Sequence, residues 1–387
     1  MEYKIIYLCY LPLVAKREHD FYMDAPSSPG AAVEYWDLSN IFFPDVHFTM
    51  EVHRPYVRKI NTYKALEAML VAQDRLRSVF VVIISFNGMS LKLHRMLTRC
   101  NCYLIFFARA GLPVFTSRGS LGKRIVQHYR QFLSWNKVKF KILSEIANIC
   151  RTFGLIKPYD LVFAAGSAEA SQYGTSNVVA INHFDFDRYL LGQSETRRTV
   201  TNEYAVFLDD NLAFDSDFKV TGTGSIEPAA YFRALRGFFD AIEATHKLKV
   251  VIAAHPKSEY RGDEFGDRTI IKDATNELVK ACRFALAHYS TSVSFAVLHR
   301  KPLAFIYTHD MERFDFFSLI KGLASALNAP LLEIGRSRVR DEHLPSFAAP
   351  DLKRYDEYKY RYLTSPTSEH QESRAIFIHT LRGLRIR

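Results

Sequence analysis

Along the first half of the chain, hydrophobic positions gather into short β-rich runs separated by stretches with helical spacing. Residues 4–10 (KIIYLCY) form one such run, and 32–36, 80–86, 102–108, 160–164 and 178–181 repeat it. The run at 80–86 closes on the turn pair Asn87-Gly88. Between these runs, residues 61–76 place Tyr63, Leu66, Met69, Leu70 and Gln73 on one side of a predicted helix. Residues 91–99 predict a short helix and 122–153 a long helical stretch. Strands that alternate with helices predict a parallel sheet covered on both faces.

The pattern lapses between about 186 and 202, where the polar run GQSETRRTVTN carries no period. A second alternation follows. Residues 204–208, 249–254, 284–288 and 303–307 read as strands, and 277–282 and 293–298 as short helices. Residues 228–245 predict a longer helix with Tyr231, Leu235, Phe238, Phe239 and Ile242 on one apolar face. The expectation is an α/β chain of two Rossmann-like domains with parallel sheets, over 1–188 and 203–345. Residues 346–387 would form a C-terminal extension that packs back on the first domain.

Composition sharpens this in two ways. Of 387 residues, 48% are apolar and 24% charged, a globular balance that argues against a disordered chain. No run reaches the ~18 apolar residues of a membrane-spanning helix. The opening lacks the basic-then-apolar order of a secretory signal, so a cytoplasmic location is expected. Cys9, Cys100, Cys102, Cys150 and Cys282 are too scattered for a disulfide framework or a zinc site, and read as free, mostly buried thiols. The formal charge of +10 points to anionic partners.

Candidate chemistry concentrates in the second half. The strand at 249–254 runs into His255-Pro256-Lys257, and the strand at 284–288 into Tyr289-Ser290-Thr291-Ser292. In an open α/β sheet the loops beyond the strands' carboxyl ends line the ligand crevice, so both loops belong to one rim. Ser290, Thr291 and Ser292 supply hydroxyls, and the helix behind them supplies unsatisfied N–H groups, a combination suited to phosphate. His255 and Lys257 can add a hydrogen bond or charge to a departing phosphate, and Pro256 fixes the turn. Asp209 and Asp210, at the end of the strand at 204–208, are candidate general bases for a hydroxyl that must lose its proton.

The segments AAHPKSEY and LAHYSTSVSFAVLHRKPLAFI resemble the C-terminal half of bacterial GT-B glycosyltransferases that build surface polysaccharides, over about residues 204–310. The His-Pro and Ser-Ser/Thr pair is similar to the motifs by which bacterial sialyltransferases and Kdo transferases hold a CMP-sugar. The resemblance implies that His255, Ser290, Thr291 and Ser292 bind the nucleotide phosphate. Lys301-Pro302 fits the "KP" strand entry of the same family. These sialyltransferases also carry an acidic pair followed by glycine; Asp209-Asp210 matches it, except that Asn211 stands in the glycine's place.

Other motifs carry less. Asp185-Phe186-Asp187 and Asp215-Ser216-Asp217 have the D-x-D spacing that holds a divalent metal in another glycosyltransferase fold, but no metal is required where protein donors neutralise the leaving group. Gly222-Thr223-Gly224 lacks the third glycine of a dinucleotide loop, since Glu227 occupies that place. Residues 118–141 hold seven Lys/Arg and no acid, interleaved with Tyr129, Phe132, Trp135 and Phe140. This segment reads either as a helix on anionic lipid or as a solvated basic face. No nucleic-acid-binding pattern is present, and no nucleic acid partner is expected.

The expectation is therefore a GT-B fold of two facing domains with a C-terminal crossing helix. It would be an enzyme that moves a CMP-activated acidic sugar (sialic acid, Kdo or another nonulosonate) onto a surface glycan or lipid-linked acceptor, at or near the inner membrane. A UDP-sugar transferase, a polyol-phosphate transferase, a sugar-nucleotide epimerase, a non-catalytic polysaccharide-assembly protein that binds a glycan or nucleotide, and a basic nucleic-acid binder are the alternatives.

Overall fold

The computed structural model describes residues 3–24, 32–48, 51–109, 111, 113, 135–173, 177–193, 200, 202–214, 226–335, 347, 349–384 and 386. Among these, 3–109, 135–182 and 366–386 form one compact unit, and 111, 113 and 183–365 the other.

In the first unit the chain runs β1 (Lys4–Cys9), α1 (Ala15–Asp20), β2 (Val33–Asp37), α2 (Ser39–Phe42), β3 (Val57–Lys59), α3 (Tyr63–Val71), β4 (Ser78–Val82), α4 (Leu91–Arg99), β5 (Tyr103–Ala108), α5 (Trp135–Thr152), β6 (Leu161–Ala165), α6 (Gly166–Ala170) and β7 (Val178–Ile181). The seven strands are all parallel, in the order β3-β2-β1-β4-β5-β6-β7. Alternate residues of one strand serve opposite faces, as the pleat demands. Ile6, Leu8, Phe80 and Val82 pack under α3 and α4, whereas Ile5, Tyr7, Val79 and Val81 face the other side.

In the second unit the elements are α7 (Phe184–Leu191), β8 (Tyr204–Leu208), α8 (Pro228–His246), β9 (Lys249–Ala254), β10 (Ile270–Lys272), α9 (Thr275–Ala281), β11 (Ala285–Ala287), α10 (Val293–Leu298), β12 (Leu303–Thr308), α11 (Phe317–Leu327), β13 (Leu331–Ile334) and α12 (Leu352–Tyr358). Their six strands are parallel too, ordered β10-β9-β8-β11-β12-β13. The two parallel α/β domains expected from the strand–helix alternation are thus both present. The last helix, α13 (Ser373–Gly383), returns to the first unit, where Phe377 packs against Tyr22, Phe107 and Phe163.

Helix α8 shows how local sequence sets an element. Pro228 occupies its first turn, where a missing N–H costs nothing, and the Glu227 carboxylate caps the N–H groups of Ala229 and Ala230 at 3.0 and 2.5 Å. The predicted apolar face Tyr231, Leu235, Phe238, Phe239 and Ile242 is buried throughout. Each such side chain contributes ~1.5–3 kcal/mol through burial.

Several boundaries differ from the sequence expectation. The strand predicted over 80–86 is Ser78–Val82, and the helix predicted over 61–76 ends at Val71. The long helix predicted over 122–153 is seen as Trp135–Thr152, with 122–134 outside the described residues. All five cysteines are free thiols; Cys9, Cys100, Cys102 and Cys282 are buried.

Candidate functional site

Strand β8 lies between β9 and β11. From β8 the chain first moves outward through β9 and β10, then returns to β11 on the other side. The carboxyl ends of β8 and β11 are therefore a topological switch point, where the loops part and leave a crevice. Asp209 and Asp210 directly follow β8 at that point.

The two carboxylates hold the two candidate loops. Asp209, only 4% exposed, accepts from Asn211 N at 3.0 Å, from His255 N at 3.1 Å and from the Tyr260 hydroxyl at 2.7 Å. Asp210 accepts from Tyr289 N at 3.2 Å, and the nearby N–H and hydroxyl of Ser290 favour its charged form. One acid thus fixes the loop after β9 and its neighbour the loop after β11. Adjacent strands lie ~4.8 Å apart, so the backbones of the two loops are separated by about 10 Å across β8.

Burial raises the pKa of Asp209 despite hydrogen bonds from Tyr260, His255 and Asn211. Burial likewise pushes Asp210 up to about 7, reinforced by the charge of Asp209 and opposed by the donors of Tyr289 and Ser290. Asn211 has φ 55°, in the left-handed region that favours glycine and tolerates asparagine. Asparagine therefore meets the backbone need that a glycine would meet at this position.

His255, Pro256, Lys257 and Ser258 form a β-turn in which Ser258 N donates to His255 O at 2.9 Å, with proline at the second position, where its fixed φ suits the turn. The Ser258 hydroxyl donates to the same carbonyl at 2.7 Å, and Lys272 Nζ holds Ser258 O. Lys257 N donates to His255 Nδ1 at 3.2 Å. A nitrogen that accepts carries no proton, so the neutral ring holds its proton on Nε2 as a donor.

The serine–threonine loop departs from the sequence expectation in two respects. The Ser290 hydroxyl accepts from Ser292 N at 3.3 Å, so it acts as an internal tie of the loop. The helix behind the loop, α10, is only six residues long, which leaves little dipole at its N-terminus. Thr291 is exposed, while its carbonyl takes the Ser294 hydroxyl at 2.7 Å.

Tyr260, Tyr289, Phe316, His288 and Tyr231 complete the arrangement. Tyr260 reaches Asp209, and Tyr289 stacks on Phe316 with ring centroids 4.9 Å apart. Beneath the loop, fully buried His288 donates from Nδ1 to Ile306 O at 2.6 Å and accepts from the Tyr231 hydroxyl at 2.9 Å. Its burial lowers its pKa to about 4, so it stays neutral and ties β11, β12 and α8 together. A polar residue at the end of an apolar run is the signal that singles out His288 in the sequence.

The weaker motifs fall elsewhere. Asp185 lies in the first turn of α7, with its carboxylate 3.7 Å from His183 and 3.6 Å from Arg188. Asp215, Asp217, Gly222, Thr223, Gly224 and residues 118–134 lie outside the described residues. Among the described residues, His309, Glu312 and Glu333 bring ligand atoms within 4.8 Å of one another. All three are exposed, and they form a surface ion-pair cluster when the imidazole is protonated.

No protein-family model matches the sequence, and no curated protein matches it. Among solved structures, the chain is similar to the UDP-GlcNAc 2-epimerase of Methanocaldococcus jannaschii, at 11% identity and TM-score 0.46 over 99% of each chain. It is similar to the spinosyn forosaminyltransferase SpnP at 14% identity and TM-score 0.43, over 99% of this chain and all of that one. It is also similar to the wall teichoic acid polymerase TagF at 11% identity and TM-score 0.49, over 97% of this chain and 88% of that one. At such identities the similarity concerns the course of the chain and says nothing of donor or reaction.

Proposed function

We propose that the protein is a glycosyltransferase that takes its sugar from a nucleotide donor held at the carboxyl edge of the second sheet. The observation that carries this reading is the pair Asp209 and Asp210, which fixes the His255 loop and the Ser290 loop on either side of one strand end. In this reading the donor phosphate lies between the Nε2–H of His255 and the hydroxyl of Thr291, near the Lys257 ammonium. Ser290, Ser292, Pro256 and Asp209 position those groups. As the acceptor hydroxyl attacks the anomeric carbon, the bond from that carbon to the phosphate oxygen breaks and its electron pair stays with the phosphate. Asp210 takes the hydroxyl proton, and a base whose pKa lies near the working pH suits that task. Aimed donors that meet the new charge are typically the largest catalytic term, and loss of one costs ~2.7–4 kcal/mol.

The donor is proposed to carry a single phosphate. In an α/β domain the helix after the first strand offers a ready anion site at its N-terminus. Here the Glu227 carboxylate occupies the N–H groups of α8, which disfavours a second phosphate there. This supports a CMP-linked donor; the resemblance described above adds an acidic sugar, and a bacterial surface glycan or lipid-linked glycan as acceptor. Thermal-shift measurement against CMP, CDP, UDP and GDP tests the reading. CMP should stabilise the protein selectively, and His255→Ala should abolish the shift while leaving the unliganded Tm unchanged. A shift with UDP alone favours a UDP-sugar transferase or epimerase, and no shift with any nucleotide overturns the proposal.

A further inference from the structure

In the first unit, helix α5 carries an apolar stripe that faces solvent. Ile142, Ile146 and Ile149 are 55, 42 and 54% exposed, and Phe153, just past the helix, is 77% exposed. Their spacing of four, three and four residues keeps them within an arc of about 60° on a helix of 3.6 residues per turn. The helix is seated by its other side: Ala147 is buried, and Leu143 and Ser144 lie hard against Gly88. At its end, Gly154 (φ 70°) donates to Arg151 O and Leu155 to Cys150 O, a closure that leaves Phe153 and Leu155 outside.

Beside the stripe lies an open groove of about 710 Å³ between α3, α4 and α5. Its walls include Lys64, Lys92, Arg95 and Arg99, with one carboxylate, Glu67. Glu67 is paired with Arg99 at 2.9 Å, and Lys92 Nζ lies 4.1 Å over the Tyr63 ring. Lys64, Lys92 and Arg95 are exposed and meet no carboxylate among the described residues. Leu143, on the seated side of α5, lines this groove, so the cationic groove borders the helix that carries the apolar stripe.

We propose that this surface docks on an anionic lipid bilayer, with the isoleucine stripe in the headgroup–acyl boundary and a lipid phosphate in the groove. An in-plane helix with an apolar stripe beside clustered Lys and Arg is the chemistry such a boundary selects. A symmetric pairing of two copies through the same patch would set three unneutralised cations against their equivalents, and charge opposes that. Single-stranded nucleic acid selects rows of exposed flat rings for base stacking, whereas three of the four stripe side chains are β-branched aliphatic groups and Phe153 is its one ring. The inference deepens the reading above by naming where a lipid-linked acceptor would be met. It stands on the first unit alone.

The test is co-sedimentation of the full chain with vesicles of phosphatidylcholine, alone or mixed with phosphatidylglycerol. Binding should favour the anionic vesicles by at least about tenfold, and raised salt should weaken it. The triple variant Ile142→Asn, Ile146→Asn, Ile149→Asn and the double variant Lys92→Glu, Arg95→Glu should each lose that binding while the nucleotide-induced thermal shift persists. As a check that spares the fold, Ile146→Trp keeps the stripe apolar; the emission it adds to that of Trp36 and Trp135, read as the difference from wild type, should shift to the blue on anionic vesicles and be quenched by brominated lipid. Absence of vesicle binding, binding that the variants leave unchanged, an unquenched tryptophan, or a triple variant that only turns a dimer into a monomer would each overturn the inference. Because nucleotide binding is read separately, loss of the one reading leaves the other standing.

Discussion

A carboxylate that accepts a hydrogen bond from Tyr289 N and still keeps its proton to about pH 7 is pulled in two directions. Burial wins for Asp210, and this has a consequence for stability. Its pKa in the fold stands above the ordinary 3.8, so the native state holds the proton more tightly than the unfolded chain does. The associated stability is fully present below about pH 4 and is lost as pH rises through about 7. Asp210→Asn cannot ionise, and Asp209, raised in the same direction, is common to both proteins. The Tm of the variant relative to wild type should therefore climb between pH 4 and pH 8, at about 1 °C per kcal/mol for a chain of 387 residues. If Asp210 is the base, transfer by the variant should fall ~10²–10⁴-fold, and the acid limb expected near neutrality in wild-type kcat/KM should be absent. Calorimetry across pH and initial rates check both, and a pH-independent Tm difference with full activity would remove Asp210 as the base. At this scale Asp209, Asp210, His255 and the serine loop were legible because strand ends and loops leave local marks in sequence. Tyr260 and Tyr231 were not, because each meets its partner across a loop or a sheet layer, and no local spacing encodes that.

Among the elements, α5 depends on one close approach. A Cβ built on Gly88 would lie 2.5 Å from Leu143 Cβ, 2.6 Å from its carbonyl carbon and 2.7 Å from Ser144 N. Two of these are helix backbone atoms, which have no rotamer by which to escape. Gly88→Ala should therefore displace α5 or open the 87–90 turn, at a cost of ~1–3 kcal/mol. Gly154→Ala provides the contrast: at φ 70° with nothing within 4 Å, it meets backbone strain alone, about 1–2 kcal/mol, and leaves α5 seated. Urea unfolding gives the two costs, and proteolysis within α5 separates the mechanisms, since only the first variant should become sensitive there. Equal resistance of both would show that the contact at Gly88 relaxes freely. The turn pair Asn87-Gly88 was readable in the sequence, but as a turn; the helix packed on it comes from more than fifty residues later. The three-residue edge strands β3 (VRK) and β10 (IIK) escaped for another reason: they are too short to show a period and not apolar enough to stand out.

Across the whole molecule, each sheet grades from strands paired on both sides to edges paired on one. Strands β1, β4, β5, β6, β8, β9 and β11 have a neighbour on each side and nearly continuous burial, and their apolar runs are why both sheets could be read from sequence. Amide exchange should follow the same gradient, because a buried amide in a central strand opens only with its unit while an edge amide opens locally. The slowest exchange should therefore fall in those strands, with β3 and β10 among the fastest. A nucleotide in the proposed site adds a second, local effect. Asp209 and Asp210 tie residues 255–260 and 289–294 to the end of β8, so a ligand that bridges the loops should slow both segments together. The amides of β3, in the other unit, should not respond. Exchange measured by mass spectrometry with and without CMP reads this directly. Protection of one loop alone would mean that the imidazole and the threonine hydroxyl do not share a ligand, and the geometry argued for the donor phosphate would fail even if the nucleotide binds.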